Sequence, residues 1–264
     1  MKDDVYQHFK REEVPVIDAF FDRINQVQNE YRPILTEFLD PRMQYIAQSL
    51  VGQRDDVRVS FFGGYANAER KRALFYPEYF TPTEADFKVV PLEIGYSQKF
   101  SQLAHGQILG TFANAGLDRN VLGDIITDGQ RWQILVNQDL AAYLVGQIDR
   151  VGKIKVRLQQ LSLADLLIPQ ADDAELMVLN LSSSRLDSVI AGAYNISRKS
   201  AKDLIKEKRV HLNWMMVEKP DLEIGEHDIL SVRRYGRIKV GPVLGITRKD
   251  KIRLEVSVVR KKKR

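Results

Sequence analysis

The sequence contains no cysteine. That excludes disulfides, thiolate zinc sites and cysteine nucleophiles, and suits a reducing cytosol, so a cytoplasmic location is expected. Histidine is scarce too. His8, His105, His211 and His227 are scattered without metal-ligand spacing, and no metal site is expected. No apolar run approaches the ~20 residues that span a bilayer. The start, Met1-Lys2-Asp3-Asp4-Val5, has no apolar h-region, so neither membrane insertion nor a secretory signal is expected. There is no Gly-x-Ser-x-Gly elbow, no phosphate loop and no glycine-rich turn spaced for a nucleotide, so no cofactor is expected. Internal repeats and low-complexity tracts are also missing.

What is present is an uneven distribution of charge. Residues 182–264 hold 21 Lys+Arg against 10 Asp+Glu, a net of +11, whereas residues 1–181 hold 19 against 25, a net of −6. A basic block inside folded sequence points to a polyanion, because each cation near a phosphate releases condensed counterions. A solubilising tail would explain Lys261–Lys263. It does not explain Arg185, Arg198, Lys199, Lys202, Arg233, Arg234 and Arg237, which lie within patterned segments.

Periodicity divides the 264 residues into three parts of an α+β chain: 1–80, 81–181 and 182–264. In the first, Ile17, Phe20, Phe21, Ile24 and Val27 form one helical stripe with Pro15 near its start. Asp40-Pro41 reads as a cap and first-turn proline for a helix that stops at Gly52. Val57–Phe61 alternates as a strand, and Ala73–Tyr76 returns after Gly63-Gly64. Between the two strands, Arg70, Lys71 and Arg72 sit among Phe61, Phe62, Tyr65, Phe75 and Tyr76. That mixture suits stacking on bases and holding phosphates; it equally suits a solvated loop over a small core.

From about residue 88 the order is strand, helix, strand, strand, helix, strand. The strands are Val89–Ile94, Gly123–Thr127, Trp132–Val136 and Lys155–Leu161; the helices are Gln102–Ala115 and Gln138–Gln147. Asp128-Gly129 marks the central hairpin. This is the ferredoxin-like order that RNA-recognition motifs use, although the third strand offers only Trp132 for stacking. Residues 162–181 read as a connector with a strand at Leu176–Asn180.

The last part reads as a helix capped by Ser182–Ser184, a second helix capped by Ser197, a strand over Val210–Val217 and three further strands. On the second helix, Arg198, Lys199, Lys202 and Lys206 share a face, and the helix start adds backbone N–H groups favourable to phosphate. With Arg233, Arg234 and Arg237 they are expected to form one concave basic surface.

At this point the chain resembles the S4-like RNA-binding domain. Arg185-Leu186-Asp187, Ser197-Arg198, Val210 with Asn213, and Asp228–Arg233 carry the resemblance. It implies RNA contacts at Arg198, Lys199, Lys202 and Asn213, with Asp187 capping or pairing structurally.

Thr36–Arg42, Phe62-Gly63-Gly64-Tyr65, Ala68–Arg72, Gly123-Asp124-Ile125, His105, Leu109-Gly110, Gly116 and Arg119 extend the resemblance to the bacterial YlmH family. That family implies an N-terminal domain, an RRM-like domain and an S4-like domain. It also implies partners in rRNA and tRNA on the large ribosomal subunit, and a role in ribosome-associated quality control of stalled peptidyl-tRNA. One departure is visible. Arg234 stands where the family commonly has the first glycine of Arg-Gly-x-Gly-Arg, which places the loop shape in question.

Two other classes compete. Arg185-Leu186-Asp187 could be read as the catalytic triplet of a pseudouridine synthase, yet it opens a helix and no catalytic domain follows. A cell-division interaction protein is the second alternative. No constellation meets the geometric roles of an active site, so no intrinsic catalysis is expected. His105 and Asp124 read as structural residues.

Overall fold

The apolar stripe of the first segment produces α1, Val14–Glu30, with Ile17, Phe20, Phe21, Ile24 and Val27 all buried. The computed structural model describes residues 6, 9, 11–52, 56–99, 101–167, 174–213 and 215–261. α2, Pro41–Val51, starts where the Asp40 side chain accepts from Met43 N at 2.8 Å, and it ends at Gly52. Both helices cover a three-stranded antiparallel sheet of order β1-β3-β2, made of Ile34–Leu39, Lys71–Pro77 and Val57–Phe62. β1 was not expected from the sequence.

A second sheet has the order β5-β6-β4-β8-β7. Its strands are β4 Val89–Tyr96, β5 Leu122–Thr127, β6 Trp132–Asn137, β7 Arg150–Val151 and β8 Ile154–Gln160. α3, His105–Asn114, and α4, Gln138–Gln147, pack on one face over Leu92, Ile94, Ile134, Val136 and Leu158. β4, α3, β5, β6, α4 and β8 follow the βαββαβ order, with β7 hairpinned onto β8. Asp128 shapes the β5–β6 turn by accepting from Gln130 N and Arg131 N, and Gly129 supplies a φ of +98°.

These two sheets belong to one unit, Met1–Gln170. The other face of β6 carries Gln133 and Leu135, both 0% exposed. Leu135 packs with Phe38, Leu74, Tyr76, Phe87 and Val89 in a core shared by both sheets. Glycines allow the approach: a Cβ on Gly123 would lie 2.8 Å from the Phe38 ring and 2.9 Å from Leu135 Cβ.

The second unit, Ala171–Arg264, holds a six-stranded antiparallel sheet of order β11-β10-β12-β13-β14-β9. β9 is Ala174–Leu181, β10 Val210–Leu212, β11 Met215–Met216, β12 Ile229–Val232, β13 Gly236–Ile246 and β14 Ile252–Arg260. The expected connector strand is therefore an edge of this sheet, pairing with β14 from Ala174↔Val259 to Leu181↔Ile252. α5, Leu186–Tyr194, and α6, Arg198–Lys206, cover one face, packing Val189, Ile190 and Leu204 against Leu181, Ile238 and Val256. The single strand expected over 210–217 is interrupted by Asn213, whose φ is +46°.

Candidate nucleic-acid interface

The interface begins with the helix starts. The N-cap of α5 is Arg185, not the serine run, and it makes no side-chain cap bond. Instead Leu186 N donates to Leu222 O at 2.8 Å and Asp187 N to Pro220 O at 3.0 Å. α5 ends at Asn195, which takes φ +52°, and α6 restarts at Ser197, whose Oγ accepts from Ser200 N at 3.0 Å. On α6, Ala201, Leu204 and Ile205 are buried while Arg198, Lys199, Lys202 and Lys206 are exposed along one face.

Asp187 organises that face. Its carboxylate is 0% exposed and has three cationic partners. Arg198 Nη2 donates to Oδ1 at 3.1 Å and to Oδ2 at 3.0 Å, and Arg185 Nε donates to Oδ1 at 3.3 Å. Lys202 Nζ stands 3.8 Å away. Burial pushes the Asp187 pKa up, but the hydrogen bonds from Arg185 and Arg198 and their charges outweigh it. The group is held below the ordinary carboxylate value. One buried anion thus draws together three cations that would otherwise repel, and their side chains remain 37–49% exposed. The cluster keeps a net charge of +2 beside the positive end of a helix, an arrangement suited to phosphate.

The other expected residues are placed differently. Arg233 and Arg234 lie exposed in the β12–β13 turn, where Arg233 N donates to Arg209 O at 2.9 Å, beyond the C-terminal end of α6. Arg234 adopts φ +74°, so the turn keeps a left-handed residue without glycine, at a cost of about 1–2 kcal/mol. Arg237 alternates with buried Ile238 and so faces away from α5 and α6. Of the single concave surface expected from sequence, the structure brings Arg185, Arg198 and Lys202 together in a compact cluster, with Lys199 and Lys206 on the same helix, and sets Arg237 on the opposite face of the sheet. Asn213 is engaged within its own loop. Its side chain accepts from Ile229 N at 2.8 Å and donates to buried Asp228 at 2.9 Å, closing the loop instead of facing a ligand. Lys262, Lys263 and Arg264 lie outside the described residues.

Arg70 and Arg72, expected with Lys71 as a possible secondary RNA contact, are buried instead of exposed. Arg70 donates to Leu122 O at 3.0 Å, Phe38 O at 2.8 Å and Arg119 O at 3.3 Å. Arg72 donates to Thr36 O at 2.7 Å and Lys88 O at 3.3 Å. Burial lowers the pKa of both guanidiniums against the pull of nearby carboxylates. Lys71 stays at the surface, donating to Ala66 O at 3.1 Å. The aromatics around them are consumed by the core: Phe75 and Tyr76 are buried, and Phe62 packs on Phe87 at 5.6 Å. Asp124 accepts from Tyr65 Oη at 2.8 Å, Glu69 N at 2.7 Å and Arg70 N at 3.1 Å, which explains the Gly123-Asp124 and Gly63-Gly64-Tyr65 segments as one junction. Burial pushes the Asp124 pKa up, opposed by those hydrogen bonds.

β6 of the middle sheet presents no free ring. Trp132 packs on the helix side, while Gln133 donates to Asp165 O at 3.1 Å and accepts from Leu167 N at 2.8 Å on the other. Among the described residues, no group of three or more His, Asp or Glu could hold a metal ion, and no helix is long and apolar enough to cross a membrane.

The fold and the cluster define a modular α+β chain with two small α/β sheets in its first unit and a cation-bearing helical pair on a sheet in its second. Residues 12–80 match the family described as "YlmH, N-terminal", and residues 82–165 match the one described as "Putative RNA-binding domain in YlmH". The chain is 41% identical over 251 residues to the ribosome-associated protein quality control protein P2 of Bacillus subtilis (strain 168), covering 95% of this chain and 97% of that protein. It also resembles the solved structure of the cell division protein ylmH from Streptococcus pneumoniae. That match has a TM-score of 0.53 and 35% identity, covering 61% of this chain and 97% of the other. The chain belongs to the YlmH family.

Proposed function

We propose that the protein binds RNA of the large ribosomal subunit, rRNA, tRNA or both, through the α6 face, and acts in ribosome-associated quality control of stalled peptidyl-tRNA. The observation that carries this reading is the buried Asp187 carboxylate holding Arg185, Arg198 and Lys202 at the start of α6, with Lys199 and Lys206 along the same exposed side. A polyanion matches that surface in charge, and the cations are oriented before it arrives. The S4-like reading of residues 182–264 and the name of the Bacillus relative support the same assignment. The role is binding rather than catalysis, in the cytoplasm, with the first unit orienting the protein on the ribosome.

The test is co-sedimentation of Arg198→Ala/Lys199→Ala/Lys202→Ala with purified large subunits over a salt series. Loss of binding and a shallower salt dependence, by roughly 2–3 in log–log slope, are expected. Unchanged sedimentation of a folded variant refutes the site. The name of the pneumococcal relative points instead to division. Association with a division complex that survives RNase would favour that reading over the ribosomal one.

A further inference from the structure

Among the described residues, the face of the middle sheet turned away from α3 and α4 is covered over β5, β6 and the start of β4, where Val89 and Pro91 are buried, and is exposed over β8 and β7. Val156 and Leu158 point into the helix-side core, so Lys155, Arg157 and Gln159 point the other way, and all three are exposed. The pairing register sets their neighbours. Arg150 stands opposite Lys155, Gly95 opposite Arg157 and Glu93 opposite Gln159. Lys153 follows Gly152 in the β7–β8 turn. Residues 150–157 therefore present four cations and no carboxylate. Glu93, on this face, is engaged by Arg131, whose Nε and Nη2 donate to its two oxygens at 2.8 Å each, and by Gln133.

Gly95 is exposed, and a Cβ there would meet nothing nearer than Arg157 O at 3.4 Å. Packing does not require glycine at that position. Its effect is to leave the strand surface bare beside Arg157. Among the described residues, aromatic rings are missing from this exposed half, since Tyr96 packs on the helix side. Unstacked bases would find no platform here, whereas the backbone of a helix needs none. Lys155 and Arg157 are two positions apart on one strand, about 6.6 Å, a separation comparable with that of successive phosphates. Gln159 adds an amide able to meet a ribose hydroxyl.

We propose that this half-face, Arg150, Lys153, Lys155, Arg157 and Gln159 around Gly95, is a second RNA site that takes the ribose-phosphate backbone of a double-helical segment without reading bases. It shares with the proposed function only the premise that the ligand is RNA. The competing explanation is protection of a sheet edge, since lysines on edge strands discourage pairing with other chains.

The test uses the full chain carrying Arg150→Gln/Lys155→Gln/Arg157→Gln, beside Arg198→Ala/Lys199→Ala/Lys202→Ala and the two sets combined. Binding to a labelled 20-base-pair RNA duplex is measured over a salt series. The three half-face residues are exposed, so thermal unfolding should be unchanged. The expected result is an affinity lower by about tenfold, a log–log salt slope reduced by about 2–3, and a further loss when the sets are combined. Affinity and slope equal to the parent's would overturn the half-face site. If the α6 variant alone then loses binding, the proposed function stands without it; if only the half-face variant loses binding, the α6 assignment fails and this one stands.

Discussion

Replacing Asp187 by Asn tests the organisation of the cationic cluster directly. The substitution keeps the shape of a fully buried side chain and removes its charge. Arg198, Arg185 and Lys202 then lose the anion they share and repel one another. Deleting one member of a buried ion pair costs about 3–5 kcal/mol when the orphan cannot reach water. Here the cations are 37–49% exposed and rehydrate, which favours the lower figure of about 2–3 kcal/mol expected for lost charge-assisted hydrogen bonds. For a unit of roughly 90 residues that corresponds to about 10–20 °C in melting temperature.

The pH dependence has a definite sign. Asp187 is held below its ordinary value of 3.8 in the fold, so its contribution is complete above that value and is lost as pH falls through the depressed one. The difference between parent and variant should be full at pH 7 and shrink in strong acid, as the parent's carboxyl becomes neutral too. Hydrogen exchange of the α5 and α6 peptides as a function of urea, at pH 7 and below pH 3, reads this out. Equal urea midpoints at pH 7, or a deficit that is the same at both pH values, would refute the role given to this carboxylate.

Arg70→Gln should destabilise the first unit by about 3 kcal/mol, because buried carbonyls of Phe38 and Leu122 lose charged donors; urea denaturation measures it. Gly123→Ala should cost about 1–3 kcal/mol by forcing Phe38 and Leu135 apart, and a thermal melt within a degree of the parent would contradict the packing. Asn213→Ala should cost about 2 kcal/mol by uncoupling Ile229 N and buried Asp228. If the variant, once folded, binds RNA as the parent does, the loop role holds; a selective loss of RNA affinity at unchanged stability would restore Asn213 to the interface.

Local signals were legible where the local segment decides the structure. The stripe of α1, the Asp40-Pro41 start, the Asp128-Gly129 turn and the Ser197 cap all depend on residues within one or two turns, and all appear. Arg70 and Arg72 were not legible, because a run of cations looks solvated until distant carbonyls at Phe38, Leu122, Thr36 and Lys88 arrive to receive them. β9 was legible as a strand but not as an edge of the last sheet, since its partner is β14, more than 70 residues later. In the cationic cluster, the face of α6 was readable from spacing alone. The gathering of Arg185 and Lys202 around Asp187, and the turning away of Arg237, depend on packing against elements far along the chain. The cations of β7 and β8 carry a readable sign, an alternation at 155 and 157.

Arg70, Asp124 and Leu135 also bear on how this protein can be divided. A fragment beginning at residue 81 would bare Leu135 and lose the donors that satisfy Asp124. One ending at residue 80 would keep Arg70 but lose the Leu122 and Arg119 carbonyls it is bound to. Gene fusions or truncations that part the two halves there should yield sticky, poorly behaved products, so the first 170 residues are best expressed, moved or deleted together.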